Sequence, residues 1–555
     1  MAVGTGQTDG WLCPLREDDT PAGPAEPVAD LAAAVAEWER RGTPRWVWPA
    51  TPEVYPRLLR AGVRVARCHD LALVEALRLG YQGAWGAPRS LAAAWARLRG
   101  LPVPEDPPAP VRERQPTLFD TDQTGLPEGV AVIEAVVAVH ADQRRWIASC
   151  DHPERVALLA AVESAGALAA AEMGQVGLPW RADIHDAVLT DLLGPRPAPG
   201  MPPAKLAALA ERITAAFGGR PVNPDSPADV VRAFAREGIL VPSTRSHVLR
   251  RINHPAVPPL LEYKELSRLM AAHGWAWLSE WVRDGRFRPE YIAGGVVSGR
   301  WATRGGGALQ IPRVVRRAVV ADPGWVFVVA DAAQLEPRVL AALSGDRRLA
   351  DAASAGDLYT ALAADAFGGD RPRAKVALLA AMYGQTSGEA AASLAILRRR
   401  FPVAWEYLEA AARVGERGGL VRSRLGRTCP PPMPGWREAD TEARAQEAIR
   451  SRGRFTRNFV IQASAADFAL TWLADLRQRL AGLRAGTHGG AQEAAPELVF
   501  FQHDEVLVHC PRRLAADVAE AVQRAAVRAG QAVFGDSRVR FPVDIATVEC
   551  YADAR

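Results

Sequence analysis

The stretch "VFFQHDEVLVHC", residues 499–510, sets two adjacent acids, Asp504 and Glu505, between apolar runs that read as a pair of buried strands. A buried, unpaired carboxylate costs several kcal/mol or holds its proton, so this placement calls for a positive partner. A tight hairpin turn satisfies both demands, with the acids at the tip and the apolar flanks packed beneath. A second acid stands in a similar setting in "GWVFVVADAAQLEPRVLAALSGD", where an apolar strand ends at Asp331 and a helix follows with Pro337 in its first turn. Taken alone, Asp331 reads as a helix cap. Taken with Asp504, it reads as one of two carboxylates that neighbouring strands of one sheet bring together, an oxygen-only donor pair suited to Mg2+.

Between these stretches lies "RPRAKVALLAAMYGQTSGE", in which Arg371, Lys375, Leu379 and Tyr383 recur every fourth residue and form one slanted stripe on a helix. The stripe gains weight from composition. Of the 67 basic residues only Lys205, Lys264 and Lys375 are lysine, so a lysine is kept where a compact ammonium with an adjustable pKa is useful. A basic face that ends in an aromatic suits a triphosphate followed by a stacked base.

The remaining composition sets bounds. At 555 residues, 48% hydrophobic and 23% charged, the chain has the make-up of a multidomain globular protein, and its formal net charge of +4 neither requires nor excludes nucleic acid. The six cysteines, Cys13, Cys68, Cys150, Cys429, Cys510 and Cys550, show no zinc-ligand spacing and fit a reducing compartment. The first thirty residues lack a signal-peptide pattern and no run of 18 apolar residues suggests a membrane span, so a cytoplasmic, nucleoid-associated protein with no membrane partner is expected.

In order and spacing, "DAAQLEPR", "RPRAKVALLAAMYG" and "QHDE" match the three polymerase motifs of the DNA polymerase I family (family A), and the resemblance runs from about residue 150 to the C-terminus. It takes in "NPDSPADVVRAF", "STRSHVL", "LEYKELSRL", "SGRWATRGGGALQIPR", "RNFVIQASAADF" and "VECYADAR". The fold it implies is α/β and multidomain: a right hand with mostly helical thumb and fingers and an antiparallel-sheet palm, preceded by a small α/β ribonuclease-H-like domain. The expected division is 1–105 degenerate 3′-5′ exonuclease-like, 106–130 proline-rich linker, 131–290 thumb and approach to the palm, 291–345 palm with the first motif, 346–455 fingers with the second, and 456–555 palm with the third.

The resemblance further implies template-directed DNA synthesis with two Mg2+ ions, on primer-template DNA and deoxynucleoside triphosphates. Asp331, Asp504 and the backbone carbonyl of Ala332 match the metal ligands. Arg371 and Lys375 match triphosphate ligands, with Lys375 also able to protonate the leaving group. Glu336 matches the residue that blocks a ribose 2′-hydroxyl, and Gln334, Tyr359, Leu379 and Tyr383 complete the nucleotide pocket. Arg300, Gln310, Arg454, Asn458, Gln462, His503 and Glu505 match positions at the primer-template. Leu379, Ala380, Ala332 and Tyr359 depart from the family's aromatic, glycine, tyrosine and histidine, and the fingers segment is shorter, so the base and sugar pocket is remodelled and slower or less faithful synthesis is expected.

The N-terminal segment "YPRLLRAGVRVARCHDLALVEALRLG" resembles part of the family's 3′-5′ exonuclease domain, but its early strand, "RWVWPATPEVYP", has no Asp-x-Glu, and "LFDTDQTG" (118–125) lies in the linker. The domain is therefore expected to be vestigial, with active excision as the alternative. Gln115, Leu118 and Phe119 of "QPTLF" resemble the short peptides that dock on the bacterial sliding clamp. The competing readings are a phage-type single-subunit RNA polymerase, which Glu336 and the Gln-His-Asp-Glu context disfavour, and a clamp-tethered DNA-binding repair factor with weak catalysis.

Overall fold

The computed structural model describes residues 1–5, 9–107, 125–304, 311–354, 356–384, 390–438, 441–485 and 495–554. The chain divides into two compact units, one of residues 1–175, 291–302 and 330–545, the other of 176–290, 303–329 and 546–555.

The first unit opens with a five-stranded mixed sheet in the order β3 (Glu26–Val28), β2 (Gly10–Cys13), β1 (Ala2–Thr5), β4 (Arg45–Trp48), β5 (Arg67–Asp70). The strands β1, β4 and β5 run parallel, while β2 and β3 add on antiparallel. The strand expected to come first, around residues 45–48, is therefore the fourth. Its three predecessors are strands of three or four residues, two of them containing a glycine, and all are too short to show a period. Along β4 the alternation is plain: Trp46 and Trp48 pack with Val35, Val54 and Leu58, while Val47 turns to the opposite face, against Leu71 and Ile133. Gly4 lets α5 (Val132–Ala148) lie flat on β1, because a Cβ there would meet the Ile133 Cβ at 3.1 Å.

That packing corrects the expected boundary at residue 131. The helix α5 belongs to the N-terminal domain, where Gln143 donates to the Leu71 carbonyl (2.9 Å) and pairs with His69 (2.9 Å). His69 and His140 sit edge to face, 4.7 Å apart and both buried. Burial, then their own and neighbouring positive charges, holds His69 at about 3 and His140 at about 4. Both folded values lie below the ordinary histidine value, so the unfolded chain binds more protons as pH falls below about 6.5, and stability present above that pH is lost on the way down to 4. Each histidine should cost ~3 kcal/mol across the window. A His69→Asn, His140→Gln double variant is expected to flatten the melting temperature between pH 6.5 and 4; an unchanged slope would count against the assignment.

The rest of the first unit is mainly helical, including the helices Arg371–Tyr383, Pro402–Glu416, Glu442–Ala485 and Ala515–Phe534. A four-stranded sheet runs in the order Glu497–Gln502, Glu505–Pro511, Trp325–Ala332, Val543–Val548. Among the described residues two helices, Pro153–Val176 and the 442–483 stretch, are long and apolar enough by length and composition to cross a membrane, but 72% and 83% of those windows are buried within the protein, as for core helices. Arg477 of the long helix anchors the N-terminal domain. It forks onto Glu172 (2.6 and 3.0 Å), donates to the carbonyls of Val65 and Ala66, and lies with Tyr55 in a buried cluster. Nearby, Arg64 donates to both carboxylate oxygens of Glu497, at 2.9 and 3.0 Å.

The second unit is helical, with helices that include Ala204–Ala216 and Val257–His273, and an aromatic core of Trp180, Trp277, Phe287 and His185.

Candidate active site

Gln502 pairs with Glu505 across the hairpin, leaving His503 and Asp504 as its two-residue turn. His503 takes a left-handed backbone, φ +57°, and Asp504 donates its N–H back to the Gln502 carbonyl (2.7 Å). The flanking Val499, Phe500, Phe501, Val506, Leu507 and Val508 are all buried, so the acid stands at a tip set on an apolar base. The neighbouring strand Trp325–Ala332 locks on through the Ala332 N–H, which donates to the Asp504 carbonyl at 2.8 Å. One backbone bond thus sets Asp331 beside Asp504, the juxtaposition expected from two strands of one sheet.

The electrostatics register the crowding. Although the Asp331 side chain is exposed, partial desolvation by the atoms packed around it, then the charges of Asp504, Glu505 and Asp544, pushes its pKa up to about 7. Asp504 rises to about 6 through desolvation, with Arg300 opposing the rise and Glu336 and Glu505 adding to it. Acids this reluctant to ionise together gain most from a divalent cation between them. Among the described residues no three His, Cys, Asp or Glu side chains form a closed metal cage. Two carboxylates and a backbone carbonyl fit an ion that keeps waters or substrate oxygens in its shell, which is the habit of Mg2+.

Past Asp331 the chain turns through Gln334, whose φ is +56°, into the helix Leu335–Ser344. Asp331 does not cap that helix; Gln334 occupies the cap position. The Gln334 amide ties the turn to the next segment, accepting from the Leu358 N–H and donating to Asp357, both at 2.8 Å. Beneath it Arg338, 1% exposed, donates to the carbonyls of Ala333 (2.9 Å), Arg540 (3.1 Å), Ala353 and Gly356. A guanidinium spent on carbonyls acts as a brace, holding three chain segments in register.

The predicted stripe lies on the helix Arg371–Tyr383, capped by Asp370 with Pro372 in its first turn. Arg371 pairs with Asp357 (2.7 Å), which its hydrogen bond and charge hold far below the usual carboxylate range. Both cations flank buried Tyr359: the Arg371 guanidinium lies 5.6 Å and the Lys375 ammonium 5.9 Å from its ring centroid. Tyr383 donates to Glu336 (2.7 Å), and Arg300 reaches the other oxygen of the same carboxylate (2.5 Å). Glu336 is therefore fixed from both sides, while Leu379 is half-buried between the charged end of the stripe and Tyr383.

Arg454, Asn458 and Gln462 follow one face of the helix Glu442–Ala485 at four-residue spacing. Arg454 is engaged by Glu447 (2.6 Å), and the buried Asn458 Oδ1 and His503 Nδ1 make no hydrogen bond among the described residues. Burial and the charge of Arg300 hold His503 below the ordinary histidine value. Gln310, and with it Gln115, Leu118 and Phe119, lie outside the described residues. The sequence reading gave no role to Asp544, Asp357 or Arg338, although the last stands inside the quoted "DAAQLEPR". In the second unit, Arg245, Arg250, Lys264 and Arg268 line a basic cavity of about 520 Å3, built from the two quoted motifs "STRSHVL" and "LEYKELSRL".

Comparison with known proteins agrees with this geometry. Residues 203–553 match the family model described as DNA polymerase family A. DNA polymerase I of Chloroflexus aurantiacus is 29% identical over 51% of this chain and 32% of its own length. The thermostable DNA polymerase I of Thermus aquaticus is 28% identical over 51% of this chain and 36% of its own. The aligned part of the chain thus spans about a third of these relatives. Among solved structures, the POL domain of Pol1 from M. smegmatis, in complex with DNA primer-template and dNTP, superimposes with a TM-score of 0.72 over 99% of this chain and 95% of that one, at 20% identity, a likeness of fold.

Proposed function

Because the chain belongs to DNA polymerase family A, we propose that it extends a primer 3′-hydroxyl with deoxynucleotides along a DNA template. The observation that carries the proposal is the meeting of Asp331 and Asp504 at the end of one sheet, in a unit that also sets Arg371 and Lys375 on one helix face. Mg2+ held by Asp331, Asp504 and the Ala332 carbonyl would supply charge stabilisation to the attacking and leaving oxygens of an in-line displacement.

The chain's own groups do the rest by position and charge. An incoming triphosphate competes with Asp357 for Arg371, so the guanidinium is held ready without being buried. Lys375, which has no carboxylate partner among the described residues, neutralises the phosphates and can give a proton to the departing pyrophosphate. The carboxylate of Glu336, pinned by Arg300 and Tyr383, would refuse a ribose 2′-hydroxyl. Duplex contacts fall to Arg454, Asn458, Gln462 and His503, and Arg245, Arg250, Lys264 and Arg268 suit the phosphate backbone.

The test is primer extension in Mg2+, with dNTPs beside rNTPs; no extension with dNTPs would remove the proposal, and a preference for rNTPs would favour the RNA polymerase reading. Glu336→Ala is expected to raise relative ribonucleotide incorporation by about 10- to 100-fold, because a rigid steric and polar block is lost. It should also lower dNTP efficiency, since Arg300 and Tyr383 lose their common anchor.

The same reading takes the N-terminal domain as lacking proofreading, supported by the absence of any acid on β1; excision of a mismatched 3′ end by this chain would overturn it. It takes "QPTLF" as a clamp-binding peptide and the setting as cytoplasmic DNA repair or gap filling. Leu118→Ala with Phe119→Ala is expected to abolish clamp-stimulated synthesis while leaving clamp-free extension unchanged. Equal stimulation of the variant and the wild type would refute the peptide's role.

A further inference from the structure

At the N-terminal end of the parallel strands of the N-terminal domain lies a cavity of about 570 Å3 that the polymerase reaction does not use. This is the end opposite the strand carboxyl termini, where α/β sheets ordinarily place their ligands. Its rim carries Arg16, Arg45, Arg67 and Arg144, against only two acids, Glu17 and Asp19. Asp19 is committed to Arg144 (3.3 Å).

Arg45 and Arg67 are direct cross-strand partners in the β4–β5 register. Like charges so placed repel, and a sheet keeps them only where something offsets the cost. Among the described residues Arg45 spends one N–H on the Cys68 carbonyl (3.3 Å), while Arg67 makes no hydrogen bond or ion pair. The Arg45 guanidinium is held below its ordinary value by desolvation and then by the charges of Arg67 and Arg144, the mark of a cationic cluster short of counter-charge.

A second, independent observation points inward. His140 is 5% exposed and lines the cavity, yet its Nδ1 makes no hydrogen bond among the described residues; the Asp19 carboxylate, 3.6 Å away, is within ion-pair but not hydrogen-bond distance. A buried imidazole nitrogen left without a partner is costly, and a ligand oxygen in the cavity would supply one.

We propose that this cavity binds a small phosphate monoester of mononucleotide size, its phosphate gripped by the Arg45 and Arg67 guanidiniums and a further oxygen facing His140. Guanidinium forks match phosphate oxygens in pairs, and the volume lies within the range of small-ligand sites.

The test is calorimetric titration of the full chain with inorganic phosphate, with deoxyadenosine monophosphate, and with a short single-stranded oligonucleotide lacking a terminal phosphate. It is run in an Arg371→Ala, Lys375→Ala background so that the proposed triphosphate site contributes nothing. The expected result is saturable one-to-one binding of the monophosphate and weaker binding of inorganic phosphate. Arg67→Ala, at an exposed residue without partners, should weaken both at least tenfold with the circular dichroism unchanged. Arg144→Ala provides a second variant if Arg67→Ala is misfolded. No saturable binding, binding indifferent to the arginine substitutions, or binding of the oligonucleotide alone would each overturn the proposal.

Discussion

Primer extension by the Asp504→Ala variant is expected to fall by at least about a thousandfold, or ~4 kcal/mol of transition-state stabilisation, with the fold and primer-template binding retained. Asp504 occupies the tip of a two-residue turn, and its backbone rather than its carboxylate bonds to the Ala332 N–H, so removing the carboxylate spares the sheet. What is lost is the carboxylate whose charge acts most strongly on Asp331. Removing it should also let the pKa of Asp331 fall from about 7, because the Asp504 charge is the largest electrostatic contribution after burial. Glu505 starts the returning strand and adds less to either aspartate, so Glu505→Gln should cost about an order of magnitude less than Asp504→Ala. Single-nucleotide kinetics on the two variants decides the matter, and comparable losses would show that the pair acts as a unit.

The second large effect concerns stability. Arg477→Ala is expected to destabilise the first unit by ~3–5 kcal/mol, because it leaves Glu172 buried beside Tyr55 with only the more distant Arg64 (3.7 Å) as countercharge. Burial alone would raise the Glu172 pKa; the charge and hydrogen bonds of Arg477 reverse that and hold it below the usual carboxylate value. Replacing the pair by Arg477→Met with Glu172→Met should cost much less than Arg477→Ala alone, since a buried ion pair and an apolar pair of similar volume differ little. Thermal unfolding and limited proteolysis of the 1–175 region would show it. A single variant within 1 kcal/mol of wild type would mean that the cluster is hydrated and relaxes.

The heart of the site was legible because its signals are local. Acids inside apolar strands, and a basic stripe at four-residue spacing, each state their chemistry within twenty residues, and Asp331, Asp504, Arg371 and Lys375 all stand in the first unit as that reading requires. The N-terminal sheet was half legible. Trp46, Val47 and Trp48 alternate clearly, but the strands at 2–5 and 10–13 are defined by their register with each other and by the helix laid on Gly4. Arg338 and Asp357 were missed for a related reason. Their partners are carbonyls and an arginine brought together by tertiary folding, and nothing in their immediate neighbours marks them out. Asp544 faces Asp331 from a strand more than two hundred residues away in sequence, with no motif around it.

Two residues at the heart of the site, Gln334 and His503, hold left-handed backbones that glycine would adopt freely. Each costs on the order of 1 kcal/mol, and each adjoins the turn that aims one of the two aspartates. A lineage selected only for heat resistance would be drawn to relax these two positions, trading aim for robustness. Gln334 resists that drift through its amide, which no glycine can replace, so the two turns differ in evolutionary freedom: the His503 side stands as the more open route by which such a chain could exchange catalytic sharpness for endurance.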